Sequence, residues 1–422
     1  MTSIFLIVLT TTASFVIVVL AYIVLSKREG SSINILTPSF VMTIPAFYLL
    51  PFVYFRLFGA GGSTYAHFYV YSALAVELLT FVYAYTRTGD KVVRLPGVSS
   101  YSNFGLVSML SLSIGVLLYV PVLIQFSEFI FDPRQIYTQT RIGFGIQGFV
   151  SSTLAYIAVI LILFSKHSRA VKVFTILLAT GLLSLHGSKG QVLSVVMILL
   201  LYYVYVLGRK ITFARAMIVY AGTGMIVFLL FAATMSLGED AADAVEAISK
   251  YSDYTRNAML VIDSNYPLQY GRLTIESNTL CIVPRQLMPG KPKNFGTFAL
   301  AEEFYPELFD EGTGAPAFGV GTQYADFGSL AIVYLAFCGL LRGWLARVFV
   351  NRLKVTHHPA DFFMVAFLAD VSLFPIGTGW LLPEALLVAV FLRWVSRIGA
   401  RKVYRERPQG AVQGQPRMVA PG

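Results

Sequence analysis

MTSIFLIVLTTTASFVIVVLAYIVLSKREG (Met1–Gly30) is the stretch on which the fold turns. Its apolar run of about 22 residues matches a hydrocarbon core ~30 Å thick, which a helix of about 20 residues crosses. A cleaved leader carries a basic start and an apolar run of only about 7–15 residues, and neither is found here. Positive charge follows the run instead, at Lys27 and Arg28. These features predict a retained first membrane helix with its N-terminus outside.

The same pattern recurs along the chain. Hydrophobic residues make up 56% and charged residues 13%, against about 25% charged in a soluble domain. A soluble fold has no place to hide that much apolar surface, so the solvent is lipid. Candidate helices fall near 4–25, 36–57, 65–86, 104–126, 147–164, 171–185, 190–207, 213–236, 328–348, 360–377 and 380–397. We therefore expect an all-α, polytopic integral membrane protein with about 11 transmembrane helices. Residues 1–407 read as a single transmembrane domain, and 408–422, rich in Gln, Gly and Pro, read as a disordered cytoplasmic tail. No internal repeat is visible, which weakens a transporter reading, because many transporter folds contain duplicated halves.

Alternate loops are basic. They carry Lys27 and Arg28; Arg87, Lys91 and Arg94; Lys166, Arg169 and Lys172; Arg209, Lys210 and Arg215; Arg347, Arg352 and Lys354; and the tail from Arg393 to Arg417. The positive-inside rule puts this set and the C-terminus in the cytoplasm. The formal charge of +10 is thus an orientation signal that also meets anionic lipid. It does not mark a nucleic-acid surface.

One long break interrupts the spans. Between helices 8 and 9, residues 237–327 form a large extracytoplasmic loop rich in Pro, Gly, Tyr and opposite charges, with thirteen acids from Glu239 to Asp326. Gly238 to Ile262 reads as an amphipathic helix, with acids in its first turns suiting the positive helix end. From Asp263 to Gly321 glycines and prolines punctuate the chain, which predicts an ordered irregular loop. A loop of that length in a compact protein is usually functional or disordered, and its aromatic content argues against disorder.

The outward side holds cations that the positive-inside rule does not require. They are Arg134 and Arg141 in FDPRQIYTQTRIGFG, Lys189 in LHGSKGQ, Arg256 in YTRNA, Arg272 in YGRLTIES, Arg285 in VPRQ, and Lys291 and Lys293 in MPGKPKNFG. Arginine grips phosphate in two-toothed fashion and lysine acts as a point charge. Converging cations of this kind suit a lipid diphosphate at the membrane surface. The bland alternative is that each pairs with one of the loop acids. Gly187-Ser188-Lys189-Gly190 lacks the GxxxxGK[ST] spacing of a nucleotide loop. Its glycines let backbone approach a ligand or a neighbouring helix, and Lys189 opens a helix where an anion also meets free N–H groups.

Candidate proton acceptors are His186, Glu276, Glu302, Glu303, Asp326 and Glu384. Glu77 and Asp370 fall inside spans, where acids are costly and functional by default. Tyr324 and the loop aromatics could stack on sugar faces or simply pack. Cys281 and Cys338 lie in the loop and in a span, without metal-ligand spacing, and read as small packing residues.

Four elements in order carry a family resemblance. They are RIGFG (Arg141 to Gly145), HGSKG (His186 to Gly190), ES followed by VPRQLMPGKPKNFG (Glu276 and Ser277, then Val283 to Gly296), and GVGTQYADFGSLAIVY (Gly319 to Tyr334). On these motifs and the topology, the chain resembles the Wzy-type polymerases of bacterial O-antigen, capsule and exopolysaccharide. The resemblance implies a metal-independent membrane glycosyltransferase without a cofactor, working on the outer face of the bacterial cytoplasmic (inner) membrane. It implies polyprenyl-diphosphate-linked oligosaccharide repeat units as substrates, with a flippase and a chain-length regulator as partners. On that footing Arg141, Lys189, Arg285 and Lys291, with His186 and Glu276, are the candidate catalytic groups. Arg134, Arg256, Arg272, Lys293, Tyr324 and Asp326 are candidates for substrate binding. Two alternatives stay open: an O-antigen ligase-like glycan transferase, and a non-catalytic lipid-glycan flippase or exporter.

Overall fold

The structure, a computed structural model, describes residues 2–59, 61–89, 103–131, 135–137, 144–187, 189–234, 252–280, 283, 287–292, 294–307, 316–374 and 382–396. Among these every regular element is helical. The first group is α1 (Thr2–Glu29), α2 (Thr37–Thr43), α3 (Leu50–Phe58), α4 (Thr64–Arg87) and α5 (Phe104–Gln125). Next come α6 (Gly145–Phe164), α7 (Arg169–Leu185), α8 (Lys189–Leu201) and α9 (Phe213–Thr234). The loop contributes α10 (Asp253–Asp263), α11 (Arg272–Thr279), α12 (Thr297–Phe304) and α13 (Gly321–Phe327). The chain continues through α14 (Ala331–Thr356), α15 (Pro359–Leu368) and α16 (Leu382–Val395).

A helix lies at each of the expected spans, but not all are alike. Six stretches of the described chain are long and apolar enough to cross a membrane: Phe5–Glu29, Thr37–Phe55, Thr64–Arg87, Phe104–Gln125, Gln147–Phe164 and Gly321–Thr356. The others are shorter or less apolar. The second span is interrupted by a π-helical stretch, Ile44–Leu49, where Pro45 has no N–H to give to an α-helical ladder. The span expected at 360–377 ends at Leu368. Ten residues rise only ~15 Å, about half the hydrocarbon thickness. The chain leaves that helix through Asp370, whose φ of 72° lies in the left-handed region. Arg342 terminates it by donating from Nε to the Leu368 carbonyl at 2.9 Å. The same guanidinium faces Asp370 at 3.4 Å and Glu77 at 4.0 Å. The segment from Asp263 to Gly321, expected to be irregular, contains the short helices α11 and α12. The amphipathic helix expected at 238–262 is described only from Asp253 onward, and the tail lies outside the described residues.

The tightest seam joins α4 to α14. A Cβ added at Gly339 would collide with Thr80 Oγ1 and the Glu77 carbonyl, and one at Gly343 with the Phe81 carbonyl. The two glycines are four residues apart and so share one helix face. In lipid, where apolar side chains gain little by leaving the solvent, such small residues let backbones approach and interlock. Seryl hydroxyls serve the α5–α6 seam: Ser108 donates to the Ala158 carbonyl at 2.7 Å, and Ser151 to Gly115 at 2.8 Å.

The two ends of this bundle differ. At the start of α4, Ser63 caps the helix by accepting from the Ala66 N–H. Asp263, closing α10, accepts from Ser63 N and Oγ, both at 2.6 Å. The loop is thereby fastened to this end. At the other end of α4, Tyr85 and Tyr205 both donate to Glu29, and Arg28 donates to the Thr86 carbonyl. Arg347 lies over the Tyr85 ring at 5.4 Å. Buried Asp361 pairs with Arg352 at 3.2 Å and with Arg393. His358 joins them: its Nδ1 accepts from Ala360 N–H, so Nε2 carries the proton toward Ser396 Oγ. Burial, aided by the Arg393 charge, pushes His358 down to about 4, which keeps it neutral between two guanidiniums. These basic residues and the loop therefore occupy opposite ends, as the charge alternation predicts.

Overpacking a helix seam typically costs about 1–3 kcal/mol. Gly343→Ala should therefore lower the thermal midpoint of the detergent-solubilised protein, followed by loss of the monodisperse size-exclusion peak. An unchanged midpoint would show that α4 and α14 separate without penalty.

Candidate functional site

The loop is built around α11. Gly271, with φ of 85°, turns the chain into this helix, and the helix has no N-cap side chain of its own. Asp326, fully buried on α13, supplies the cap from fifty residues downstream. It accepts from Leu273 N at 2.9 Å, Thr274 N at 2.7 Å and Thr274 Oγ1 at 2.5 Å. A carboxylate there satisfies orphan N–H groups and meets the positive helix end. Glu276, on the same helix, faces Arg272 at 3.8 Å and accepts from the Gly296 N–H at 2.9 Å. Beside Gly296, the Phe295 ring lies 4.5 Å from Lys291 Nζ, and Lys291 donates to the Val283 carbonyl at 3.0 Å. Arg272, Glu276, Lys291 and Asp326 are thus drawn into one corner. Tyr324 packs edge-on against Tyr69 of α4, with centroids 4.8 Å apart.

A second group forms at the α7–α8 turn. His186 ends α7 and is buried. Its ring stacks on Tyr119 with centroids 4.0 Å apart. Its Nδ1 is 2.8 Å from the Leu182 carbonyl, an acceptor, so Nδ1 carries the proton and Nε2 keeps its lone pair. The Gly148 backbone also interacts with the ring, and Nε2 has no hydrogen bond of normal geometry among the described residues. Gly187, with φ of 71°, makes the turn, and Lys189 opens α8. Tyr119 stands six residues, ~9 Å of helix rise, inside the Gln125 end of α5. The turn is therefore recessed into the bundle on the loop side. Just below it, Ser194 donates to the Ser372 carbonyl at 2.9 Å and Phe374 stacks on Phe149 at 5.7 Å. The unwound chain beyond α15 is thereby held against α6 and α8.

The remaining residues singled out above are dispersed. Arg256 lies over the Tyr54 ring at 3.9 Å and faces Asp253 at 3.4 Å. Glu302 and Glu303 are exposed on α12 and Glu384 is buried at the start of α16. Arg134, Arg141, Arg285 and Lys293 lie outside the described residues, and for Lys189 only the backbone is described. Sequence reasoning passed over Arg342, which joins Glu77 and Asp370 within the membrane. A lone arginine between two glycines of an apolar span, LLRGW, was the available signal. Asp326, expected at the substrate, accepts from two backbone N–H groups of α11, and Glu276, expected in the chemistry, accepts from that of Gly296.

Loss of a helix cap typically costs ~1 kcal/mol. Asp326→Ala should speed amide exchange through 272–279 by severalfold while the spans stay protected. Exchange unchanged from the parent protein would remove Asp326 from the cap.

The chain is 34% identical over 374 residues to the O-antigen polymerase of Salmonella typhimurium strain LT2, covering 88% of this chain and 91% of that protein. The same figures hold for the O-antigen polymerase of Salmonella typhi. No protein-family model matches the chain, and no solved structure matches it. Identity of that extent across nearly the whole of both chains, on a multi-pass helical bundle, establishes that this protein belongs to the family of O-antigen polymerases.

Proposed function

We propose that this protein polymerises polyprenyl-diphosphate-linked oligosaccharide repeat units on the outer face of the bacterial inner membrane, with its N-terminus outside and its C-terminus in the cytoplasm. The observation that carries the reading is the 34% identity over 374 residues to proteins named O-antigen polymerase. The segregation of the basic residues from the loop supports the orientation.

The chemistry follows from the substrate. No nucleotide is at hand outside the cell, so the donor brings its own leaving group. The bond between the anomeric carbon and the diphosphate oxygen breaks, and a bond to the acceptor hydroxyl oxygen forms. The hydroxyl proton passes to a base, and the electron pair leaves on polyprenyl diphosphate. Cations aimed at that developing charge stabilise the transition state most. In this reading Lys189 meets the diphosphate, aided by the free N–H groups of the α8 N-terminus. Arg141, Arg285 and Lys291 add positive charge from the loops. His186 Nε2 accepts the hydrogen of the incoming hydroxyl. Glu276 and Asp326 act by holding the α11 corner in shape, so they position rather than react. A site recessed into the leaflet suits a substrate whose lipid tail never leaves the hydrocarbon.

Reconstitution with a defined polyprenyl-linked repeat unit, read as a ladder on a gel, tests the reading. Removing one such donor typically costs about 10²–10³ in rate. Lys189→Ala should therefore erase the ladder while leaving membrane insertion intact, and Lys189→Arg should restore part of it. A parental ladder from Lys189→Ala would take that residue out of the site. Single repeat units remaining on the final carrier in the variant mark a polymerase, whereas loss of all attachment marks a ligase.

Because guanidinium and ammonium groups meet the diphosphate in this proposal, excess chelator should leave ladder formation at its parental rate. Arrest by chelator, reversed by adding back a divalent cation, would overturn the metal-free reading.

A further inference from the structure

The corner that carries α11 has an apolar outer edge. Tyr270 is 83% exposed and Ile275 62% exposed, with Leu268 beside them. Tyr270 holds a left-handed backbone (φ 52°), a conformation that disfavours side chains, and it points its ring away from the protein. Exposed apolar groups on a loop facing bulk water would be a liability.

Their depth gives a different account. The corner is fastened to the chain entering α14. Gln269 N donates to the Ala325 carbonyl at 2.9 Å, and Asp326 caps α11. Space at Gly271 is bounded by the Phe327 ring, and space at Gly328 by Leu268. The Gly328 carbonyl in turn accepts from Tyr69 at 3.1 Å. Tyr69 stands five residues, ~8 Å, down α4 from its start. The corner is therefore tied to the chain that enters α14 and, through Gly328, to the first turns of α4. Tyr65 and Phe68 are exposed at the same level, where interfacial aromatics gather. Below it, Leu330, Val333, Phe337, Leu340 and Trp344 are exposed along α14 at spacings of three and four, a single lipid-facing stripe. Leu268, Tyr270 and Ile275 prolong that stripe outward. Arg272, 55% exposed on its side chain, stands at the same corner, where its long stem lets the guanidinium reach lipid phosphate.

We propose that residues 268–275 form an interfacial anchor seated in the outer leaflet, with phospholipid as its partner. Leu268, Tyr270 and Ile275 enter the acyl boundary, and Arg272 meets the headgroup phosphates. The anchor fixes the height of α11, and with it Glu276 and Lys291, relative to the membrane surface. The inference rests on the chain spanning a bilayer, and loss of polymerising activity leaves it untouched.

Nitroxide labels read this directly. In a Cys281→Ser, Cys338→Ser background reconstituted in phospholipid vesicles, Tyr270→Cys, Ile275→Cys and Glu302→Cys are labelled separately. Collision rates are then measured with dissolved oxygen, which concentrates in the acyl region, and with a water-soluble nickel chelate. We expect oxygen to dominate at positions 270 and 275 and the chelate at 302. Chelate access at 270 and 275 matching that at 302 would place the corner in water. Low access to both reagents there would place protein over it, for example a second copy. Either result overturns the proposal. If Tyr270→Cys does not insert, Ile275→Cys carries the measurement alone.

Discussion

The approach of α4 to α14 over Gly339 and Gly343 is the contact on which the other features depend. Lipid offers helices no hydrophobic reward for associating, so close backbone packing has to supply it. The residue between those glycines that turns toward the partner helices is Arg342. With the backbones in contact, its guanidinium reaches Glu77, Asp370 and the Leu368 carbonyl together. A charge in hydrocarbon is expensive unless it is paired. The seam thus makes the arginine tolerable, and the arginine in turn ends α15 after ten residues, about half the length of a span. Unwound backbone within a membrane persists only where protein or water surrounds it. Here the Ser194 hydroxyl takes up the Ser372 carbonyl.

From the same seam the loop inherits its position. α4 begins at Ser63, which Asp263 grips, and α14 begins just past Asp326, which caps α11. Both anchor points are rooted in the two helices that are packed most tightly. The loop therefore behaves as an extension of the bundle. Its small core of Val261, Leu273, Leu300, Ala301, Phe318 and Ala325 lies between those attachments. Such a platform can hold side chains against a lipid-bound substrate with little freedom left to lose on binding.

Much of this was legible in the sequence. Apolar length placed the long helices, because a span has to match a fixed thickness. Charge alternation separated the loop from the basic end, because lysine and arginine set orientation. Other features were hidden because they depend on partners distant in sequence. The early stop of α15 is set by Arg342, twenty-six residues upstream, and no local breaker marks Leu368. The helicity of α11 depends on Asp326, so Gly271 and its neighbours read as loop. Residue type does not reveal partners either: Asp326 and Glu276 carry groups suited to chemistry, and their oxygens also accept from backbone N–H groups of the loop. His186 was singled out only by its neighbours in HGSKG, while its seat between the Tyr119 ring and the Leu182 carbonyl depends on the fold.

Position in the bundle links the two groups of candidate residues. The His186 turn meets Tyr119, ~9 Å of rise inside the Gln125 end of α5, and the α11 corner is tied through Gly328 to the Tyr69 hydroxyl of α4. Phe104, which opens α5, meets His358 at the basic end, so both groups lie toward the loop end of the bundle. A lipid diphosphate is confined to one level by its own structure, since the isoprenoid holds it down and the charge holds it up. A soluble sugar transferase has to capture its donor from three dimensions, and it spends binding energy doing so. In the reading proposed above, the bilayer restricts the donor to a plane, and the protein has only to offer charge at the matching height. In the proposed mechanism that division of labour explains why cations are placed in Gly- and Pro-rich turns at span ends: these are the positions where backbone and side chain can enter the interface without burdening the hydrocarbon core.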